Sequence, residues 1–177
     1  MTKITIIGAG SYSWGPIFLR DIIVTPPLSG SKICLHDIDA ERMDLNFRLA
    51  QKFVETAQAD FRITPTLSLN AALDGADFII LTITTGGLET TRHDLEIPTC
   101  YGIQQLVGDT TGLGGLSRAL RNIPVLAAMA KKVDEHCPRA WLLNYTNPMT
   151  SLTRTLEMFP TLPNRTTGLY GEKICHN

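Results

Sequence analysis

The chain has 177 residues, 44% of them hydrophobic, and its 16 Lys and Arg residues nearly balance 17 Asp and Glu residues. This length is enough to bury one core and lies in the usual range for a single domain. The near-neutral charge, without a basic run, makes nucleic acid a poor candidate for a partner. No apolar run approaches the roughly 20 residues that span a bilayer, so we expect no contact with a membrane.

The cysteines and the N-terminus indicate a cellular compartment. Cys34, Cys100, Cys137 and Cys175 are widely spaced and form no CxxC pair. This spacing favours a reduced protein over a disulfide framework. The first residues run directly into a strand pattern and lack the architecture of a signal peptide. We therefore expect a soluble, cytoplasmic protein.

Short apolar runs alternate with amphipathic segments along the chain. The apolar runs predict strands at 3–7, 32–36, 61–66, 77–81, 140–144 and 165–169. The amphipathic segments predict helices at about 16–24, 40–57, 69–73, 116–136 and 149–158. Pro124 is expected at the start of its helix or at a kink. Residues 84–110, rich in Gly, Thr and charge, are predicted to form a long loop. Strands that alternate with helices predict an α/β fold, a Rossmann-like doubly wound parallel sheet with flanking helices.

The turn after the first predicted strand has the composition of a dinucleotide site. It reads Gly8-Ala-Gly10-Ser11-Tyr-Ser13 and opens a helix. Glycines there let the backbone turn tightly and approach a pyrophosphate, whose charge the helix amides stabilise. Ser13 stands where the dinucleotide fingerprint has its third glycine. We expect Gly8, Gly10 and Ser11 to bind the cofactor; the alternative is a structural turn without a nucleotide.

An acidic residue is expected at the end of the second strand of such a fold, and Asp37 occupies that position. Its carboxylate can accept hydrogen bonds from both hydroxyls of the adenosine ribose, and it would repel a 2′-phosphate. We therefore predict NAD rather than NADP as the cofactor. Asp39 is instead the expected N-cap of the helix that begins at Ala40.

Two asparagines lie at and after the carboxyl end of the predicted fifth strand, where open α/β sheets bind ligands. They are Asn144 and Asn147. Pro148 holds the backbone of Asn147 extended and so positions its side chain. An Asn-Pro turn that only begins a helix is the alternative for Asn147.

An ordered set of motifs continues from the middle of the chain to its last residues. It comprises Thr84-Thr-Gly-Gly-Leu88, Asp94-Leu-Glu-Ile-Pro98, Gly108-Asp-Thr-Thr-Gly112, Gly114-Gly115, Arg118-Ala-Leu-Arg121-Asn-Ile-Pro124, Asn144-Tyr-Thr-Asn147-Pro-Met149 and Cys175-His176. The set resembles glycoside hydrolase family 4, the NAD- and metal-dependent glycosidases, over essentially the entire chain. The NAD-binding strands alone would also fit the lactate and malate dehydrogenases.

The resemblance implies net hydrolysis of an α-glycoside with NAD and a divalent metal, usually Mn²⁺. In that family NAD oxidises the sugar hydroxyl at C3, the C2 proton becomes acidic, and the glycosidic oxygen leaves by elimination. Water then adds and the hydride returns, while the metal polarises the C3 and C2 oxygens as a Lewis acid. The motifs at 94–98 and 107–111, together with His176, resemble members that act on unphosphorylated hexosides or hexuronides.

By the same resemblance, Cys175 is the metal-binding thiolate, although a lone cysteine near a strand end is more often a small buried hydrophobe. His176 is a candidate catalytic acid that assists the leaving oxygen, or an oriented polar contact; a solvent-facing histidine is the alternative.

The remaining site residues follow from the resemblance as well. Asn144 and Asn147 would contact the nicotinamide region and the sugar hydroxyls, so we expect Asn144 to bind the cofactor and Asn147 the substrate. Asp109 would contact the substrate or the metal shell. Arg92 would bind a distal carboxylate or phosphate, with plain surface charge as its alternative.

Members of the family are much longer than this chain, and the additional part supplies most of the substrate domain, the second metal ligand and the base. We therefore predict an NAD-binding domain at 1–170 and the start of a substrate and metal domain at 171–177. Such a chain would bind NAD but turn over nothing alone, and the full-length protein would be a homo-oligomer. The alternatives are a 2-hydroxy acid dehydrogenase of the lactate or malate type and a non-catalytic NAD-binding module.

Overall fold

The structure is a computed structural model that describes residues 1–163, 165–170 and 173–175. Its strands are β1 Lys3–Ile7, β2 Lys32–His36, β3 Arg62–Thr66, β4 Phe78–Leu81, β5 Trp141–Asn144, β6 Thr166–Tyr170 and β7 Lys173–Cys175. Its helices are α1 Trp14–Ile23, α2 Ala40–Ala57, α3 Leu69–Leu73, α4 Gly87–Thr99, α5 Gly112–His136 and α6 Met149–Glu157. A 3-10 turn at Pro26–Leu28 follows α1.

The described strands form one sheet in the order β3-β2-β1-β4-β5-β6-β7. Strands β1 to β6 pair in parallel, and β7 is antiparallel to β6. The strand order reverses between β1 and β4, and this is the point where open α/β sheets bind ligands. The register aligns Ile7 with Leu81 and Leu81 with Asn144, so these strands end at one edge. The predicted doubly wound sheet is confirmed.

Helices cover both faces of the sheet, and the side chains of each buried strand point alternately to one face and the other. Ile6 packs with Leu19 of α1 and Met43 of α2 on one face, and its neighbour Ile7 packs with Leu126 of α5 on the other. Both isoleucines are almost fully buried. Successive strand residues point to opposite faces, so each buried strand contributes to two cores.

The predicted loop at 84–110 is wrong, because residues Gly87–Thr99 form α4. The helix buries only Asp94 and Pro98, so it has no apolar stripe from which its period could be recognised. Its exposed face is instead joined by ion pairs from Arg92 to Glu89 and Glu96. Ion pairs at these spacings stabilise a helix, but in a sequence the same charged residues do not distinguish a helix from an exposed loop.

Two further differences concern α5 and the sheet edge. Helix α5 begins at Gly112, so Pro124 lies in its interior; the placement at the start of the helix is wrong, and the alternative, a kink, stays a prediction. Strand β7 is absent from the predicted elements and adds an antiparallel edge. The boundary predicted between 170 and 171 stays a prediction.

Two chemical expectations can be compared with the structure. The described cysteines, Cys34, Cys100 and Cys137, are free thiols. Among the described residues, every helix is too short or too polar to cross a bilayer.

Candidate functional site

The turn between β1 and α1 is held tightly against the two neighbouring strands. The amides of Gly8 and Ala9 donate to the carbonyl oxygen of His36, at 2.9 and 3.0 Å. Gly8 has a φ of +89°, and a Cβ there would lie 1.9 Å from the carbonyl oxygen of Thr82. Only glycine fits this position, since both its conformation and its space exclude a side chain.

The carboxylate of Asp37 lies directly at this turn. Its Oδ2 accepts a hydrogen bond from the Gly10 amide at 2.7 Å, and its Oδ1 accepts one from the Asp39 amide at 3.0 Å. A Cβ at Gly10 would lie 2.8 Å from Oδ2, so the glycine permits this close approach. Each carboxylate oxygen keeps capacity for a further donor, such as a ribose hydroxyl. Asp39 caps α2 by accepting from the Arg42 amide at 3.1 Å, as predicted.

Asn46 of α2 supports the turn from below. This side chain is 3% exposed, and its Nδ2 donates to the carbonyl oxygens of Ala9 and Ser11, at 2.6 and 3.0 Å. The Ser11 hydroxyl in turn accepts from the Trp14 amide at 3.1 Å and so begins α1. Gly15 completes the contact, because a Cβ there would lie 2.8 Å from the Ala9 carbonyl oxygen.

Neither Asn46 nor Gly15 is among the site residues predicted from the sequence. Gly15 provides the close helix packing that the fingerprint assigns to the third glycine, but it lies two positions beyond Ser13, where a fixed spacing does not find it. Asn46 had a visible signal, since an amide occupies a position of α2 that shares a face with the buried Met43 and Ala50. A polar residue in an apolar stripe indicates a specific hydrogen bond.

Asn144 ends β5 and is fully buried. Its Nδ2 donates to the Thr153 hydroxyl at 3.1 Å, and its Oδ1 accepts from the Thr146 amide at 2.9 Å. The Thr146 hydroxyl accepts from the Ile83 amide at 3.0 Å, which ties the ends of β4 and β5 together. Here the Asn144 side chain supports the loop that carries Asn147, and its expected contact with the cofactor stays a prediction.

Asn147 and Asp109, two residues predicted to bind substrate, are brought together. The Asn147 Nδ2 donates to the Asp109 Oδ2 at 2.9 Å across a separation of 38 residues. The Asn147 carbonyl oxygen accepts from Arg118 Nε and Asn122 Nδ2 of α5, each at 3.2 Å. The pair presents a carboxylate and an amide at the carboxyl edge of the sheet, a combination that can bind sugar hydroxyls.

A buried ion pair beside this site was also missed. Arg121 of α5 donates to both carboxylate oxygens of Asp94 in α4, and the Arg121 Nη1 also donates to the Ser117 hydroxyl. The hydrogen bonds from Arg121 hold the pKa of Asp94 below its usual range, and the same contact raises the pKa of Arg121. Both residues appear in the quoted motifs, but only the fold places them in contact.

Two buried polar atoms in α5 have no partner among the described residues. They are Arg121 Nε and Asn122 Oδ1. An unpaired buried polar atom costs about 1–3 kcal/mol, so these positions are polar at a cost to stability.

The contacts of Arg92 are with residues of its own helix and not with Asn147 or Asp109. Its side chain is 58% exposed on α4 and contacts Glu89 at 2.9 Å and Glu96 at 3.7 Å. Two adjacent carboxylates oppose an incoming anion, so in this conformation the guanidinium is poorly prepared for a substrate carboxylate or phosphate.

An aromatic cluster joins the two halves of the site. The Phe18 ring lies 4.6 Å from the ring of Tyr145 in the loop after β5, and Trp14 lies 5.6 Å from Phe18. Burial raises the pKa of the Tyr145 hydroxyl. The start of α1 is thus packed against the loop that contains Asn147.

The predicted metal residue and catalytic acid can be only partly placed. The Cys175 side chain and His176 lie outside the described residues. The backbone of Cys175 pairs with Gly168, which in turn pairs with Asn144. This row places the Cys175 backbone about 10 Å from that of Asn144, two interstrand spacings away. Within the described part of the chain, no three His, Cys, Asp or Glu side chains are grouped to hold a metal.

The known proteins most similar in sequence include two bacterial α-glycosidases. The chain is 39% identical over 184 residues to an α-galactosidase of Bacillus subtilis strain 168, covering 100% of this chain and 40% of that protein. It is 38% identical over 161 residues to an α-galacturonidase of Lachnoclostridium phytofermentans, covering 89% of this chain and 34% of the relative. The chain therefore spans well under half the length of both relatives.

Solved structures agree with the sequence relatives. A 6-phospho-α-glucosidase from gut microorganisms, solved in complex with NAD and Mn²⁺, superposes with a TM-score of 0.84 at 27% identity. The match covers 96% of this chain and 38% of that one. The model of the family described as family 4 glycosyl hydrolase matches residues 3–171, from β1 through β6. With nearly every residue inside that match, the chain belongs to the family 4 glycosyl hydrolases.

Proposed function

We propose that this chain is the NAD-binding part of a glycosidase that uses NAD and a divalent metal to hydrolyse α-hexosides or α-hexuronides. The hydrogen bond between Asn147 and Asp109 carries the proposal, because it brings an amide and a carboxylate together at the edge of the sheet where the β1 turn also lies. Family membership supports a glycosidase over a 2-hydroxy acid dehydrogenase. The relatives named α-galactosidase and α-galacturonidase support an unphosphorylated α-glycoside as the substrate.

The turn at 8–11 fits NAD. Gly10 permits the close approach of the turn to the Asp37 carboxylate, and the positive end of the α1 dipole lies beside this turn, which would favour a pyrophosphate. Asp37 would bind the ribose hydroxyls and exclude a 2′-phosphate. A structure of a relative in complex with NAD supports the same cofactor here.

When bound, NAD would accept a hydride from C3 of the sugar and return it at the end of the cycle. The residues of this chain would hold the sugar for that transfer. The Asp109 carboxylate would accept a hydrogen bond from a sugar hydroxyl, and the Asn147 amide would fix the orientation of that carboxylate. Bulk water would be displaced from this edge when the sugar binds, which strengthens both hydrogen bonds.

The metal part of the proposal rests on the Cys175-His176 motif and on the Mn²⁺ in the relative's structure. We propose Cys175 as a metal ligand and His176 as the acid that assists the leaving oxygen. Among the described residues, the side chains do not by themselves supply a ligand set for this metal. Arg92 would bind a distal anionic group only after leaving Glu89 and Glu96.

We further propose that the complete protein is a cytoplasmic homo-oligomer whose partner is a carbohydrate, not nucleic acid or a membrane. The balanced charge and the free thiols of Cys34, Cys100 and Cys137 support this environment. Light scattering of the purified protein measures the oligomeric state, and a monomer at working concentration would contradict it.

The experiment that tests the reaction incubates the complete protein with NAD, Mn²⁺, a reductant and p-nitrophenyl α-glycosides, including the galacturonide, in D₂O. We expect nitrophenol release that requires both NAD and metal, with deuterium at C2 of the released sugar. Deuterium enters there because C2 loses its proton and regains one from solvent.

Two other results would identify the alternatives. Net NADH formation from a small hydroxy acid, without metal and without nitrophenol release, would indicate a dehydrogenase. NAD binding without turnover of either substrate class would indicate a non-catalytic module.

A further inference from the structure

The backbone carbonyl of Asn147 is held by two side chains from a single helix. Arg118 Nε and Asn122 Nδ2 lie one turn apart on α5, and each donates to this oxygen at 3.2 Å. Side chains four residues apart share a helix face, so the helix itself fixes the spacing of the two donors. The Asn147 carbonyl is therefore fixed relative to α5.

If Asn122 only packed α5 against the sheet, its amide would lower the stability of the fold relative to an apolar side chain. The side chain is 1% exposed, and its Oδ1 has no partner among the described residues. A leucine of similar shape would fill the same space without burying an unpaired acceptor. Buried polar atoms without a hydrogen-bond partner are expected at functional sites, where function is kept at some loss of stability.

Fixing this carbonyl also orients the Asn147 side chain. Pro148 restricts the backbone of Asn147, and the two α5 donors restrain its carbonyl further. The side-chain Nδ2 then meets the Asp109 Oδ2 at 2.9 Å. The ion pair between Arg121 and Asp94 binds the same stretch of α5 to α4.

We infer that Asn122 and Arg118 are positioning residues, which orient Asn147 so that it holds the Asp109 carboxylate toward the sugar. This inference rests on the proposed function for its effect on rate. The geometric part of the inference does not involve the reaction: the contact between Asn147 and Asp109 depends on two donors in α5.

The decisive variant is Asn122→Leu in the complete protein. We expect an unchanged or higher Tm and an unchanged Kd for NAD. We expect kcat/KM for the α-glycoside to fall about 30- to 100-fold, because a small displacement of a binding group is costly in rate. A purely structural Asn122 would instead lower the Tm and leave kcat/KM of the folded fraction unchanged.

A matched control and a second pair of variants accompany it. Met129→Leu changes a buried side chain of the same helix that lies two turns beyond Asn122 in the apolar core, and it should leave kcat/KM unchanged. Arg118→Met removes the donor and keeps the apolar stem, whereas Arg118→Lys keeps a donor and the charge. We expect the lysine variant to retain more kcat/KM than the methionine variant, and equal values would count against the inference.

A crystal structure of the Asn122→Leu variant separates this inference from the proposed function. We expect the Asn147 Nδ2 and Asp109 Oδ2 atoms to move beyond hydrogen-bond distance. A retained hydrogen bond with wild-type kcat/KM would overturn the inference. A wild-type protein without glycosidase activity would instead overturn the proposed function, and the distance in the variant would still decide the positioning role.

Discussion

Arg121 of α5 holds Asp94 of α4 through two parallel hydrogen bonds, Nη1 to Oδ1 at 2.8 Å and Nη2 to Oδ2 at 2.5 Å. The Asp94 side chain is 6% exposed and the Arg121 side chain 25%. This contact fastens the helix that follows β4 to the helix that braces Asn147. The edge of the sheet where Asn147 meets Asp109 is therefore braced by an ion pair between two helices.

Asp94→Asn should lower the free energy of unfolding by about 1–3 kcal/mol, since it removes the counterion of the partly exposed Arg121 and weakens two charge-assisted hydrogen bonds. Chemical denaturation near neutral pH measures this loss. Asp44→Asn is the matched control, because Asp44 pairs with Arg48 on the exposed face of α2. An exposed pair contributes well under 1 kcal/mol, so a comparable loss in both variants would contradict the role of the buried pair.

The contribution of Asp94 should depend on pH in one direction. Arg121 lowers the pKa of Asp94 below its ordinary 3.8, so the folded state holds this proton less tightly than the unfolded state. The stabilisation is therefore complete above the ordinary pKa and is lost as pH falls through the lowered folded pKa. The stability difference between wild type and Asp94→Asn should be constant at about pH 5–7 and shrink below about pH 4. A difference that grew on acidification would contradict this sign.

Asp37→Ala should weaken NAD binding about 10- to 100-fold, the equivalent of one or two hydrogen bonds to a charged acceptor. Isothermal titration calorimetry with NAD and NADP measures both affinities. We expect the preference for NAD over NADP to narrow, because the charge that repels a 2′-phosphate is removed. Asp44→Ala on the same helix-strand unit should leave both affinities unchanged. Wild-type affinity in Asp37→Ala would remove the ribose assignment.

Gly8→Ala should destabilise the protein more than Gly75→Ala, although both glycines have a positive φ. A Cβ at Gly8 would lie 1.9 Å from the Thr82 carbonyl oxygen, whereas one at Gly75 would have no atom within 4 Å. We expect a loss of about 1 kcal/mol for Gly75→Ala, from conformation alone. For Gly8→Ala we expect about 3 kcal/mol, since the strand must also move. Thermal unfolding compares the two, and equal losses would show that the backbone at Thr82, just after β4, moves to accommodate the added methyl group.

Cys175→Ser in the complete protein should abolish Mn²⁺-dependent glycoside hydrolysis, because a hydroxyl replaces the thiolate ligand. Cys100→Ser is the control, as this thiol is exposed at the end of α4. Activity is followed as nitrophenol release over a series of Mn²⁺ concentrations. Full activity of Cys175→Ser with an unchanged Mn²⁺ dependence would exclude Cys175 as a ligand.

The sequence pattern was sufficient to predict features that belong to a single strand, helix or cap. The β-branched run Lys3–Ile7, the stripe of α2 and the cap at Asp39 were all predicted within a residue of their observed bounds. Pattern failed at α4, since a helix that buries Asp94 has no apolar period to detect. It also failed at Gly15, whose role depends on the approach of Asn46 and the Ala9 carbonyl oxygen and not on a fixed spacing.

The sequence by itself determined the doubly wound sheet, the glycine turn and the acidic residue beside it, because strand and helix periods and local turn chemistry are properties of short segments. Only the tertiary structure decided that Asn147 meets Asp109, that α5 holds the Asn147 carbonyl and that Arg121 pairs with Asp94. These contacts join residues 25 to 38 positions apart. No local period encodes such a pairing, which is fixed when the sheet and its two helices pack together.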